Sequence, residues 1–278
     1  MIKNKRILIP GGAGSIGSEL VRQLVKKNKV FILDNNETST FNLIEELKLK
    51  GHWVEGRVGD VRDRETVRDV FSDFKPEYVF VCSAYKHVTP MEQYPIEAIN
   101  VNVLGTHNLL DFSKRYPVKK FVFVSTDKVV NANSVMGATK KVGEIMTKNA
   151  GKGYVVVRFG NVLGSRGSLI PIWQNQVDRG GSIGVTDKRM ERYFMTIPEA
   201  CTLVTEAAEI GKGGEIIIFE MGKKVNIYEL AKKVVLESRK EIPIKMIGIR
   251  PGETLSEELM TAEEKKSMVK KGKFFIIY

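Results

Sequence analysis

Gly11-Gly12-Ala13-Gly14-Ser15-Ile16-Gly17 follows directly on the apolar run Arg6–Pro10 and opens a stretch in which Ile16, Leu20 and Leu24 recur at helical spacing. Between a strand and a helix, such a glycine pattern signals a dinucleotide site. Glycines 11, 14 and 17 give the tight turn, the close backbone approach to a pyrophosphate and the close packing of helix on strand. The helix start, with Ser15 and Ile16, offers unpaired N–H groups to the anion. The competing reading is a glycine-rich turn without a ligand, and the strand–helix context weighs against it.

Further apolar runs follow at Val30–Asp34, Trp53–Val58, Tyr78–Cys82, Phe121–Ser125 and Tyr154–Phe159, with helical spacing between them, as in Val67, Val70, Phe71 and Phe74. Near-continuous apolar strands alternating with helices predict an α/β fold, a doubly wound parallel sheet of the Rossmann kind. From about residue 160 the pattern loosens into glycine-rich loops, with helices near 169–179 and 198–210, a returning strand Ile216–Phe219 and a helix at 226–238. The predicted division is a dinucleotide-binding core of residues 1–160 plus about 214–238, and a smaller C-terminal substrate-binding lobe of about 161–213 and 239–278.

Asp34 ends the second strand seventeen residues after Gly17, where a carboxylate can accept hydrogen bonds from ribose hydroxyls and would repel a 2′-phosphate. Asn35, Asn36 and Glu37 follow rather than an Arg, so the expected cofactor is NAD, not NADP. Asp60-Val61 is placed to meet the adenine; an Asp that begins a helix is equally a common N-cap.

With 278 residues, 42% of them apolar, the chain can bury a large core. No apolar run approaches the roughly 18–20 residues that span a bilayer, and no signal-peptide core is present, so a cytoplasmic location is expected. The net charge of +11 suits an anionic small molecule better than nucleic acid, because no aromatics interleave the seven basic residues among the first thirty. Cys82 and Cys201 read as small buried hydrophobes, and no His/Cys pair has zinc-ligand spacing, so no metal is expected.

Strand five ends in Ser125-Thr126-Asp127-Lys128, and Met136-Gly137-Ala138-Thr139-Lys140 opens the next helix. Glycine fingerprint, Ser/Thr at the end of strand five and Lys on the following helix together resemble the extended short-chain dehydrogenase/reductase superfamily, which has Tyr where this chain has Met136. A thioether neither gives nor takes a proton usefully, so another group must move it. Tyr116 with Lys120 and Tyr228 with Lys232 share the Tyr–Lys spacing but lie in a turn before strand five and on a helix beyond the core.

Ser83-Ala84-Tyr85-Lys86-His87-Val88-Thr89-Pro90-Met91-Glu92, Arg158-Phe159-Gly160-Asn161-Val162-Leu163-Gly164-Ser165-Arg166-Gly167-Ser168 and Arg250-Pro251-Gly252-Glu253 resemble UDP-N-acetylglucosamine 4,6-dehydratases of bacterial polysaccharide biosynthesis. The match runs over roughly residues 5–260. Thr-Asp-Lys on strand five is a dehydratase feature, and one branch of that family is similar in carrying Met for Tyr.

The resemblance implies a homo-oligomer that takes UDP-N-acetylglucosamine through C4 oxidation by NAD, loss of the C5 proton, departure of the C6 hydroxyl as water and hydride return to C6. It makes Lys128 the C5 base, kept neutral by burial and a nearby Lys140, and Asp127 the acid for the leaving hydroxyl. Lys140 would hold the nicotinamide ribose, and Thr126 with a water, or Asp127 acting twice, would handle the C4 hydroxyl proton. Ser83, Ala84, Tyr85 and Asn102 are expected at the cofactor, Asn102 being otherwise a plain helix-surface residue. Lys86, His87, Arg158, Asn161, Arg166, Arg192, Arg250 and Glu253 are expected at the UDP-sugar, with guanidinium forks on the diphosphate and Glu253 on ribose hydroxyls.

The chain departs from the family in Pro10, where Thr is usual, and in lacking both the longer C-terminal tail of many relatives and the N-terminal membrane region of the large ones. Three rival readings share the fold: a 4-epimerase, against which Met136 argues; a dehydratase that releases a 5,6-ene; and a non-catalytic NAD sensor, which would have no reason to keep Asp127, Lys128 and Lys140.

Overall fold

In the computed structural model, which describes residues 2–278, the first half of the chain alternates strand and helix as the apolar runs predict. Strands β1 (Arg6–Pro10), β2 (Lys29–Asp34), β3 (Glu55–Val58), β4 (Tyr78–Val81), β5 (Lys120–Val124) and β6 (Tyr154–Arg158) are separated by helices. These are α1 (Ser15–Leu24), α2 (Glu37–Leu49), α3 (Arg64–Phe74), α4 (Val88–Gln93), α5 (Pro95–Ala98), α6 (Thr106–Arg115) and α7 (Val135–Lys148). A π-helical segment, Ile99–Gly105, joins α5 to α6.

The second half contains β7 (Asn161–Leu163), α8 (Leu169–Asp178), β8 (Ile183–Val185), β9 (Glu191–Arg192), β10 (Phe194–Thr196), α9 (Ile197–Ile210), β11 (Ile216–Phe219) and β12 (Val225–Asn226). It ends with α10 (Ile227–Ser238), β13 (Ile244–Met246), α11 (Ala262–Ser267), β14 (Val269–Lys271) and β15 (Phe274–Ile277).

Nine strands form one sheet in the order β14-β15-β11-β6-β5-β4-β1-β2-β3. It is parallel from β3 through β11, and β15 and β14 add an antiparallel edge. Ile7–Ile9, Val79–Val81, Phe121–Phe123 and Val155–Val157 are fully buried, as strands covered by helices on both faces must be. The doubly wound Rossmann class read from the sequence is the class observed. Among the described residues, no helix is long and apolar enough to cross a membrane.

Strand three starts at Glu55 rather than Trp53, whose ring lies exposed at the sheet edge. The expected division of the chain needs three corrections. Helix α9 buries Ala200, Cys201, Val204 and Ala207 in the main core and packs on α1, so it belongs to the sheet. Helix α10 instead gives Ile227 and Ala231 to a second, smaller core with Trp173, Val177, Ile183 and Val185. The C-terminal strands, expected in the substrate lobe, close the sheet: Phe274, Ile276 and Ile277 are buried beside β11.

Arg158, expected on a diphosphate, is corrected as well. It ends β6 with no exposed surface, and its guanidinium donates to Glu144 Oε1 and Oε2 at 3.0 and 2.8 Å and to Glu264 Oε2 and Oε1 at 2.9 and 3.1 Å. A fifth bond, 2.9 Å to the Leu259 carbonyl, uses its last N–H and leaves nothing for a ligand. Five inward-facing donors on the last residue of a core strand match two carboxylates and a carbonyl, which fasten α7 and α11 to the sheet. Removing Arg158 leaves the buried Glu144 with only the Lys141 ammonium at 3.3 Å and takes the guanidinium from Glu264, so Arg158→Ala should lower unfolding stability by about 3–5 kcal/mol in urea titration. A loss under about 1 kcal/mol would contradict this anchoring role.

Candidate functional site

Strand order reverses between β1 and β4, and open α/β sheets bind ligands in the crevice outside the strand ends at such a point. Gly11 stands there at φ +75°, and a Cβ on it would collide with Ser83 N, so glycine alone lets the turn touch the loop after β4. A Cβ at Gly17 would collide with Gly11 O, blocking α1 from closing on the turn.

Gly11 and Gly14 from the turn, Asp34 and Asn35 after β2, Asp60 and Val61 after β3, and Ser83, Ala84 and Tyr85 after β4 line one continuous crevice. Asp34 accepts hydrogen bonds from Ala13 N at 2.9 Å and Asn36 N at 3.0 Å, which binds the glycine turn to the end of β2. Backbone-walled turn, helix N-terminus and acidic strand end suit a pyrophosphate and a ribose respectively. Asp60 is not a helix cap: α3 is capped by Asp63, whose side chain accepts from Glu65 N at 3.0 Å.

The Ile16 side chain packs on the core and Ser15 Oγ accepts from Arg166 N at 2.9 Å, contacts that do not involve the helix-start N–H groups through which these two residues are expected to meet the anion. Asn102, buried in the π-helical segment, accepts from Tyr85 N at 2.9 Å and donates to Tyr85 O at 3.1 Å and Thr139 Oγ1 at 3.0 Å. It is therefore neither a surface residue nor crevice wall; its fully used amide fixes the Tyr85 backbone against α7.

After β5 the chain makes a short turn, Asp127–Val129, and gathers a charged cluster. Asp127 Oδ1 accepts from Thr126 Oγ1 at 2.9 Å and Lys128 Nζ at 3.0 Å. Lys128 Nζ also donates to Asn161 Oδ1 at 3.0 Å and to Glu257 Oε2 at 2.7 Å, and Glu257 Oε1 lies 3.2 Å from Arg192 Nε. Glu257 was not legible as a site residue. It follows the Arg250–Glu253 turn in an irregular segment, and what delivers it is a bridge of Ser256 to Glu191, with Glu191 N donating to Leu255 O at 2.9 Å.

Burial works against charge on each of these groups, and for Lys128 and Asp127 the partners decide. Burial pulls Lys128 down, yet the Asp127 and Glu257 charges and hydrogen bonds raise it above the ordinary lysine range. Lys128 thus rests as an ammonium, which corrects the expectation that burial and Lys140 lower its pKa toward the neutral form needed at the moment of use. Burial pushes Asp127 up, but Lys128, Glu257 and Thr126 outweigh it and hold the carboxyl below its usual range, so the resting Asp127 carries no proton to give. Glu257 moves the other way, raised by burial and by the charge of Asp127 against the pull of Lys128 and Arg192.

Burial does depress other lysines: it lowers Lys86 and Lys120, and it brings Lys140 down to about 8. Its Nζ donates to Val124 O at 2.6 Å and sits 3.9 Å from the centre of the Phe123 ring. Met136, one turn earlier on α7, is 2% exposed and packs with Met91 and Ala98. A protein carrying ¹³C-labelled lysine ε-carbons should show one resonance that changes from ammonium below about pH 8 to amine above it and that vanishes in Lys140→Gln. Titration of that resonance with ordinary lysines near about 10.4 would contradict the assignment.

The remaining residues expected at the substrate divide. Lys86 Nζ donates to Ser165 Oγ at 3.2 Å and the His87 ring lies against Gly167, so the loops after β4 and β7 meet beside the cluster. Arg166 is corrected: its guanidinium reaches Ser39 Oγ at 3.0 Å and the Ala13 carbonyl, on the crevice rather than the sugar side. Arg192 is corrected too: four of its contacts go to Glu257 and to the carbonyls of Glu191, Thr254 and Leu255, where it braces the segment that carries Glu257. Arg250 and Glu253 pair with each other in a turn whose Gly252 abuts Val88 and Ser134. Tyr116 packs on Phe71, and Lys232 lies over its own Tyr228, both outside the site.

Sheet, glycine turn and crevice define a nucleotide-binding α/β protein of the Rossmann type. The chain belongs to the polysaccharide biosynthesis protein family, whose pattern it matches over residues 7–278. The capsular polysaccharide biosynthesis protein CapD of Staphylococcus aureus is 45% identical over 276 residues, which are 95% of this chain and 46% of CapD. The chain thus spans about half the length of that relative. The X-ray structure of Pen from Bacillus thuringiensis superposes with a TM-score of 0.94 at 35% identity, covering 99% of this chain and 88% of Pen. UDP-glucose 4-epimerase of Thermus thermophilus, solved as a complex with NAD, gives a TM-score of 0.80 at 25% identity, covering 92% of this chain and 90% of the epimerase.

Proposed function

We infer that this protein is a nicotinamide-dependent dehydratase that converts UDP-N-acetylglucosamine to a UDP-4-keto-6-deoxy-N-acetylhexosamine. The observation that carries the reading is the hydrogen-bonded Thr126–Asp127–Lys128 cluster at the end of β5, with Asp127 buried and Lys128 half-buried, beside a helix whose phenol position is filled by Met136. Family membership supports a role in polysaccharide biosynthesis, and the likeness to an epimerase solved with NAD supports a UDP-sugar and NAD. Asp34 at the crevice favours NAD over its 2′-phosphorylated form.

Bound in the crevice, the nicotinamide would accept a hydride from sugar C4 and return it to C6. Asp127, a resting carboxylate with the Thr126 hydroxyl on its Oδ1, takes the C4 hydroxyl proton and thereby becomes the acid that protonates the departing C6 hydroxyl. One residue acting twice fits its lowered pKa better than a carboxyl protonated from the start. Lys128, once it has shed its extra proton, removes the acidified C5 proton and later returns it. The sum is loss of one water with no net redox change.

A 4-epimerase is the second reading, favoured by the same structural likeness. Met136 weighs against it, because reversible proton transfer at C4 is the whole of an epimerase's acid–base task. Purified protein given UDP-N-acetylglucosamine and NAD should yield a product lighter by one water, with a new methyl doublet and a 4-keto carbon by NMR. Asp127→Asn should lower kcat by about 10²–10⁴. A product of unchanged mass with inverted C4 would establish the epimerase instead.

A further inference from the structure

Lys128 meets a difficulty inside the proposed reaction, on which this inference rests. A C5 base must be an amine, yet Lys128 is an ammonium packed between two carboxylates and the Asn161 carbonyl oxygen, with a side chain only 21% exposed. Its three N–H donors are all taken by protein oxygens at 2.7–3.0 Å, so its spare proton has no direct route to water. The shortest of those three bonds runs to Glu257 Oε2.

We propose that Glu257 is the residue that readies Lys128, taking one ammonium proton from Nζ along their 2.7 Å hydrogen bond as substrate displaces water from the site. One N–H bond breaks, one O–H bond forms on Oε2, and an ion pair becomes a neutral amine beside a neutral acid. Glu257 acts through Lys128 and is a positioning residue rather than a catalytic one.

Four observations support the choice of Glu257 over Asp127. Its contact with Nζ is the shorter, and its Oε1 is pinned by Arg192, which keeps Oε2 aimed at Lys128. Both carboxylates contact the same Nζ, so a proton passed to Glu257 stays beside the Asp127 charge. Burial and the Asp127 charge make Glu257 the readier of the two to be protonated, while Lys128, Asp127 and Arg192 are the charged groups that face it.

The test compares wild type, Glu257→Gln and Glu257→Asp by kcat, KM and pH profile on UDP-N-acetylglucosamine, with NAD affinity as a check on folding. In wild type the internal transfer leaves kcat nearly level between about pH 6.5 and 8.5. Glu257→Gln must lose the lysine proton to solvent, so kcat should drop at least about 100-fold at about pH 7 with KM within about threefold, and should climb nearly tenfold per pH unit. Glu257→Asp keeps a carboxyl and should restore the level profile at a reduced rate.

If Glu257 were only a countercharge, its removal would lower the Lys128 pKa, and Glu257→Gln would equal or exceed wild type at neutral pH; that result overturns the proposal. Should Glu257→Gln fail to fold, Glu257→Asp decides alone: a level profile supports the transfer and a tenfold-per-unit slope overturns it. A wild type that makes no dehydrated product defeats the dehydratase reading itself, a failure distinct from either variant's result.

Discussion

An ammonium held out of water between two carboxylates is the constraint around which the rest of this molecule is arranged. Lys128 could not stay charged in that position without Asp127 and Glu257, and two carboxylates could not share so small a space without a cation between them. Removing any one member would leave a buried charge uncompensated. The cluster is therefore held as a unit, with Thr126 on Asp127 Oδ1, Asn161 on Lys128 and Arg192 fixing its far side, while the buried Asp127 Oδ2 is left without a hydrogen-bond partner.

The fold assembles this unit from separate places. Asp127 and Lys128 come from the end of a central parallel strand, where strand ends in α/β sheets present ligand-binding groups. Asn161 comes from the first strand after the sheet crossing, and Glu257 from a segment 129 residues beyond Lys128. What brings that segment in is the second lobe: β9 pairs with β12, Arg192 binds three carbonyls, and Ser256 bridges to Glu191. Behind the cluster, Arg158 ties α7 and α11 to β6, so the helix bearing Met136 and Lys140 is anchored to the C-terminal segment.

The core strands and the glycine turn were readable from the sequence because local pattern dictates them. Seven residues fix the turn after β1, and apolar runs mark strands covered on both faces. The errors arose where local pattern carries little information. Arg158 falls inside the apolar run Tyr154–Phe159, but the run does not say what its side chain meets, and only its position as the last residue of β6 shows that it faces Glu144 and Glu264. Asn102 lies in a π-helical segment, whose wider turn changes which residues face inward and defeats a reading by the ordinary helical spacing. Glu257 sits in no regular element, and the state of Lys128 depended on that unseen neighbour. Burial and a nearby Lys140 point to a lowered Lys128 pKa and miss the two carboxylates that raise it, whereas Lys140, buried without a hydrogen-bonded carboxylate, does show the lowering.

The central claim is that the site removes water from the sugar by moving one hydrogen from C4 to C6 of the same molecule. UDP-N-acetylglucosamine carrying deuterium at C4 tests it in a single NMR and mass measurement. The account predicts a 4-keto product with the deuterium in its C6 methyl group, while retention of deuterium at an inverted C4, or its absence from a 5,6-ene product, would contradict it.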